Sequence, residues 1–185
     1  MKLGKHYRTL MADRFFVLIS VLLLLSVAWW ALESAGSKPG TRTGRVQTES
    51  LTEISGIALS RQNNDVIWAH NDSGDEARVF ALGTDGGLLG VFRLEGARAI
   101  DWEDIAIGPG PSKDRDYLYI ADTGNNDLSR RTVTVYRVLE PLLDTIPAPK
   151  HRTLTGIEVL SMRFPADPRE CETLLVDPLT EDIYL

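Results

Sequence analysis

The chain has 185 residues, a formal net charge of −6 and a sequence pI near 5.1. That length suits one ordinary domain with a leader, and the acidic balance excludes a nucleic-acid surface, which needs a basic stripe to neutralise phosphates. The single cysteine, Cys171, excludes an internal disulfide framework and reads as a small buried hydrophobe.

Residues 1–14 form a basic amino terminus carrying Lys2, Lys5, Arg8 and Arg14, and residues 15–32 are an uncharged apolar run. Positive charges ahead of such a run keep the amino terminus in the cytoplasm and send the downstream chain across the membrane. The run is longer than the roughly 7–15 apolar residues of a signal peptide and falls within the roughly 17–25 of a spanning helix. Trp29 and Trp30 lie at its outer end, where indole rings favour the interface, and Leu32 to Gly36 make a poor cleavage site. The expectation is an uncleaved single-pass signal anchor, with the rest of the chain periplasmic or extracellular; a cleaved signal peptide is the alternative. Residues 33–50, rich in Gly, Ser, Thr and charged residues, read as a flexible tether.

From Leu51 the apolar runs are short, β-branched or aromatic, and bounded by turn residues, which is the strand signature. A first unit begins near residue 53. It enters the strand Ile57-Ala58-Leu59, turns at Arg61 to Asp65, and returns as Val66 to Ala69 into His70-Asn71-Asp72-Ser73-Gly74-Asp75. Two further strands, Arg78 to Leu82 and Leu88 to Leu94, flank a Gly83-Thr84-Asp85-Gly86-Gly87 hairpin turn.

A second unit begins near residue 101 and repeats the order. Asp101-Trp102-Glu103-Asp104 leads into Ile105-Ala106-Ile107; Tyr117 to Ile120 returns into Ala121-Asp122-Thr123-Gly124-Asn125-Asn126-Asp127; Val133 to Val138 matches the third strand. Leu139 to Pro168 reads as an insertion, with one added strand within Gly156 to Phe164. A third unit begins near residue 170 with Thr173 to Val176 and Ile183 to Leu185. Four antiparallel strands recurring at roughly 40–50 residues predict an all-β fold, a β-propeller-like array of four-stranded blades over residues 51–185. Since closing a ring takes about four or more blades, the array is expected to be incomplete, either a truncated, non-functional piece or one completed by another copy. A β-sandwich with coincidental repeats is the competing architecture.

In a blade, residues just before the first strand and just after the second meet at one end. That gathers Glu53, Ser55, Asn71, Asp72 and Asp75; Asp101, Glu103, Asp104, Asp122, Asn125, Asn126 and Asp127; and Glu170 and Glu172. Such oxygen-rich surroundings suit Ca²⁺ or a cationic group. Glu103, Asp104, Asp122 and Glu172 are the candidate metal ligands, and Asp72, Asp101, Asp104, Asn125 and Asn126 the candidate ligand-binding residues. Asp and Asn before Gly also serve tight turns, which is the plainer reading of the Asp122 loop. His70 reads as a hydrogen-bonded structural residue, and Asn71-Asp72-Ser73 fits a glycosylation sequon. No nucleophile elbow, phosphate loop or zinc-spaced Cys/His set is present.

Ser55-Gly56-Ile57-Ala58, His70-Asn71-Asp72-Ser73-Gly74, Trp102-Glu103-Asp104-Ile105-Ala106, Ala121-Asp122-Thr123-Gly124-Asn125-Asn126 and Cys171-Glu172-Thr173-Leu174-Leu175-Val176-Asp177-Pro178 resemble the blade motifs of exported bacterial β-propeller-like proteins, mostly uncharacterised. The resemblance covers Leu51 to Leu185. More distantly the chain is similar to phytase-like propellers, which implies calcium-assisted phosphomonoester hydrolysis, with acidic residues holding metal and basic ones holding phosphate. Near the acidic loops, Arg98, Lys113 and Arg130 are the basic residues, fewer than that pattern asks. Two functions are expected. One is a membrane-anchored β-propeller binding a ligand or protein partner through its acidic face with Ca²⁺. The other is a metal-dependent phosphate-ester hydrolase with Glu103, Asp104 and Asp122 as ligands and water as nucleophile.

Overall fold

In the computed structural model the described residues are 20–22, 25–27, 29, 40–145 and 150–185, and the chain divides into two units, Met1–Arg42 and Thr43–Leu185. The basic residues 1–14, most of the expected anchor 15–32 and the tether residues 33–39 lie outside the described residues. Residues 20–22, 25–27 and 29 are helical, and no helix among the described residues is long and apolar enough to cross a membrane.

The second unit is all-β. Strands β1 (Ile54–Leu59), β2 (Val66–Asn71), β3 (Arg78–Gly83) and β4 (Leu88–Leu94) run up and down as an antiparallel meander. The β3–β4 turn is closed by Gly83 N–H donating to Gly87 O at 2.8 Å, with Gly86 at φ 86°, a left-handed value that glycine adopts without strain. Strands β5 (Trp102–Pro109), β6 (Asp116–Asp122) and β7 (Val133–Leu139) repeat the meander in a second sheet.

The expected insertion is divided between both sheets. After a 3₁₀ turn at Leu143–Thr145, β8 (Lys150–Leu154) crosses back and pairs in parallel with β4, and β9 (Glu158–Met162) then pairs antiparallel with β7 as the fourth strand of the second sheet. The Arg137–Glu158 ion pair, 2.6 Å, sits on the β7–β9 register. A short hairpin of β10 (Leu175–Val176) and β11 (Ile183–Tyr184) makes a third sheet. The described residues form no closed ring of sheets.

Strand alternation builds the layers. Val66 and Trp68 of β2, with Val79, Ala81 and Phe92, face Trp102, Ile105, Leu118, Ile120 and Tyr136 of the second sheet in the main core. Trp68 meets Phe92 edge-on at 5.4 Å. Burial of side chains of this kind stabilises by about 1.5–3 kcal/mol each. The other face of the second sheet, with Tyr117, Tyr119 and Val135, packs on Leu174, Val176 and Ile183. Cys171, just ahead of this hairpin, is only half-buried, so it is not the core hydrophobe its sequence context suggested. The far face of the first sheet, with Ala69, Phe80 and Leu82, is covered by Leu51 and Val46. The last part of the stretch read as a tether is therefore docked: Arg45 N–H and Gln47 N–H donate to Asp85 O and Gly86 O, each at 3.1 Å.

Candidate functional site

Two β-bulges shape one end of the sheets. In β5, Trp102 pairs with Asp122 and Asp104 with Ala121, so Glu103 is the extra residue. In β1, Ile54 pairs with Asn71 and Gly56 with His70, which makes Ser55 the extra residue at the matching position. A bulge re-aims the side chains around it. Here it lets Trp102 and Ile105 both enter the main core, although strict alternation would put them on opposite faces. The seam between the sheets is tight at this level. Ser55 Oγ donates to Glu103 O at 2.9 Å, and a β-carbon on Gly56 would stand 2.5 Å from His70 Nε2 and 2.7 Å from Ile105 N.

The acids of both clusters meet here. One oxygen each from Asp72, Asp101 and Glu103 lie within 4.8 Å of one another, and so do oxygens of Glu103, Glu170 and Glu172. Asp72 follows β2, Asp101 immediately precedes β5, Glu103 is its second residue, and Glu170 and Glu172 precede β10. Glu103 is only 6% exposed. Its carboxyl is pushed up to about 8, first by burial and then by the neighbouring Glu172, Asp101 and Asp72. Glu170 accepts from Asn125 N–H at 2.8 Å through Oε1, while its Oε2 is buried without a partner. The arginine ion pairs among the described residues go to Asp116, Asp75, Glu76, Asp122 and Glu158, and none to these five acids.

The other sequence-predicted residues are placed differently. Asp104 accepts from Ile105 N–H and Leu174 N–H, both at 2.8 Å, and so ties the second sheet to the third. Asp122 is fully buried; its Oδ1 accepts from Asp101 N–H at 3.1 Å and pairs with Arg130 at 2.9 Å. Burial raises its carboxyl, and Arg130 opposes that shift. Arg130 also donates to the carbonyls of Gly124 and Asp122. Asn125 is buried and bonded to Arg130 N–H and O and to Arg169 O. Asn126 is exposed and lines a cleft of about 430 Å³ with Asp101, Gly124, Asp127 and Ser129.

His70 and Asn71 are structural. His70 is fully buried, donates through Nδ1 to Asn71 O at 2.8 Å, and stacks edge-on against Trp102 at 5.6 Å. Burial lowers its pKa, so the ring is neutral. Asn71 donates to Ser50 O and Asp75 and accepts from Thr52 N–H, which leaves the sequon asparagine buried and engaged. Gly124 completes the acidic site. A β-carbon there would lie 2.2 Å from Glu103 Oε1 and 2.3 Å from Asp101 Oδ2, so any side chain at this position requires the two carboxylates to shift.

A polar hub that the sequence did not single out lies at the opposite end of the strands. Glu140, fully buried, accepts through Oε1 from Ser60 Oγ, from Asn63 Nδ2 at 3.2 Å and from Trp68 Nε1 at 2.8 Å. Asn63 also donates to Pro141 O and accepts from Leu143 N–H. A lone glutamate after a strand carries no sequence signal of this role, because its three donors come from residues about 70–80 positions earlier in the chain.

No family model, no curated protein and no solved structure matches the chain. The geometry of the site therefore carries the functional reading.

Proposed function

We propose that this is a membrane-anchored, extracytoplasmic β-propeller-like protein whose acidic end binds a ligand or protein partner together with Ca²⁺. The observation that carries the reading is the meeting of four carboxylates, those of Asp72, Asp101, Glu170 and Glu172, around the buried Glu103. Carboxylates crowded at this spacing without a paired cation repel one another, and a hard divalent cation with oxygen ligands relieves that repulsion. Asp101 belongs both to the acidic cluster and to the adjoining cleft, so a ligand in the cleft meets the cation. Two stacked sheets, each built on an up-and-down antiparallel meander of four strands, with parallel β8 added to the first and the start of a third sheet following, support the propeller-like arrangement. The basic residues ahead of the apolar run 15–32 support the anchor and its orientation.

Thermal unfolding of the full chain with Ca²⁺, with Mg²⁺ and with a chelator tests the cation. A ligand that binds only the folded state adds about 2.7 kcal/mol at a hundredfold excess over its Kd, a rise of several degrees. Identical melting curves in Ca²⁺ and chelator would remove the cation from the reading.

The shared position of Asp101 favours one second reading, a metal-dependent hydrolase of phosphate esters in which a cation at Glu103 and Asp101 activates water. Turnover in a phosphomonoester panel with Ca²⁺, lost in Glu103→Gln with folding intact, supports it. Inactivity across the panel leaves the binding protein.

A further inference from the structure

We propose that the cleft where the end of β7 meets β8 is a second binding site, one that takes a small hydroxylated organic acid of the sugar-acid or sugar-phosphate kind. It stands apart from the cation reading, and the failure of either leaves the other intact. The cleft measures about 330 Å³ and is lined by Arg115 of the β5–β6 turn, by residues 138–142 running out of β7, and by residues 152–155 at the end of β8. That volume lies at the lower end of the roughly 300–1,000 Å³ of small-molecule sites. Since β8 belongs to the first sheet and β7 to the second, the walls come from both.

Two unmet polar demands meet in this cleft. Glu140, which lines it, is fully buried; its Oε1 takes the donors of Ser60, Asn63 and Trp68, while its Oε2 is buried without a partner. Buried carboxylate oxygens are nearly always hydrogen-bonded, and no donor of the described residues fills this place. Arg115 and Arg152 have the opposite need. The arginine ion pairs among the described residues use Arg61, Arg78, Arg93, Arg130 and Arg137, which leaves these two guanidiniums without an acid. A guanidinium is a planar fork that matches a carboxylate or a phosphate. One molecule with an acid group for the arginines and a hydroxyl to donate to Glu140 meets both demands; a simple inorganic anion or an uncharged sugar meets one. The frame around the cleft is fixed. Asn63 donates to Pro141 O and accepts from Leu143 N–H, Glu140 N–H donates to Asp116 O, and Glu95 N–H donates to Leu154 O. A pre-formed frame of this kind lowers the ordering cost of binding.

Calorimetry of the full chain without added Ca²⁺ tests the site, with gluconate and glycerol 3-phosphate as probes. Sulfate supplies an anion without a hydroxyl, and glucose a hydroxylated molecule without charge. The expected result is binding of at least one of the two acids about tenfold or more tighter than sulfate and glucose, and the acid preferred tells carboxylate from phosphate. Arg115→Ala and Arg152→Ala, neither of which breaks an ion pair of the described residues, should each weaken that binding about tenfold with melting unchanged. Glu140→Gln keeps one oxygen for the three donors and turns the other position into an N–H donor, so it should reduce the preference for the hydroxylated acid over sulfate about fivefold or more. A purely structural glutamate would leave that preference unmoved. Where circular dichroism shows Glu140→Gln unfolded, the two arginine variants decide. A Kd above about 1 mM for both acids, equal affinity for sulfate, or affinity unchanged in both arginine variants overturns the site.

Discussion

Gly124 and Glu103 lie in contact across the β5–β6 pair, with the glycine α-carbon turned toward a carboxylate oxygen that a β-carbon would displace. The pair couples a loop residue to the central acid of the site. In Gly124→Ala the movable partners are the Glu103 and Asp101 carboxylates, so the strain falls on ligand geometry more than on the core. The expected outcome is a melting temperature without cation within a few degrees of wild type and Ca²⁺ affinity reduced about tenfold or more, equivalent to about 1.4 kcal/mol. Calorimetric titration of Ca²⁺ into both proteins measures it.

Glu103 sets a pH dependence with a definite sign. Its folded-state carboxyl stands at about 8 against an ordinary 4.5, so between those values the folded state holds a proton that the unfolded state has lost. The stabilisation is fully present below about 4.5 and is lost as pH rises through about 8, with a slope no steeper than about 1.4 kcal/mol per pH unit for one proton. Urea unfolding in chelator from pH 5 to 9 should show this decline. Glu103→Gln should flatten it, and so should saturating Ca²⁺, which replaces the proton.

Asp122 and Arg130 form a pair in which the carboxylate is wholly buried and the guanidinium mostly so. Asp122→Ala leaves that guanidinium without its charge partner and Asp101 N–H without its acceptor. Breaking a buried pair from one side costs about 3–5 kcal/mol, so the variant is expected to unfold at clearly lower urea. Double replacement of Asp122 and Arg130 by apolar residues should recover part of the loss.

Glu140 offers the matching control at the far end of the strands. Glu140→Ala strands three donors, those of Ser60, Asn63 and Trp68. At about 1–3 kcal/mol per unsatisfied buried group, the variant should lose at least 2 kcal/mol of stability. Ca²⁺ affinity measured below its melting transition should match wild type, because no residue of the acidic end touches this hub. Reduced Ca²⁺ affinity in the folded variant would show that the two ends are coupled.

Much of the sheet pattern was legible because strands announce themselves locally. The β-branched and aromatic runs, the Asp85-Gly86 turn and the repeated acid-strand order placed β1 to β7 close to where they lie, and the meeting of Asp101 with Asp122 comes from antiparallel return. Which oxygen faces which neighbour was not legible. Glu103 and Asp104 are adjacent in sequence, yet a bulge sends one into the carboxylate cluster while the other caps two backbone N–H groups. Lys150 to Leu154 carries no alternating apolar pattern, and its partner β4 lies some sixty positions away; only the surrounding packing selects it. Val46 and Leu51, in a stretch of polar composition, found an apolar face that composition averages conceal.

The crossing of β8 bears on how the chain folds as it is made. The first sheet receives its fifth strand only after β5 to β7 have been synthesised, so the free edge of β4 stays open while most of the second sheet emerges. Domains commonly fold as units from the amino terminus during synthesis. Here the early sheet is finished by a late segment, and the two sheets mature together, with the exposed β4 edge as the interval in which pairing with another chain is a hazard.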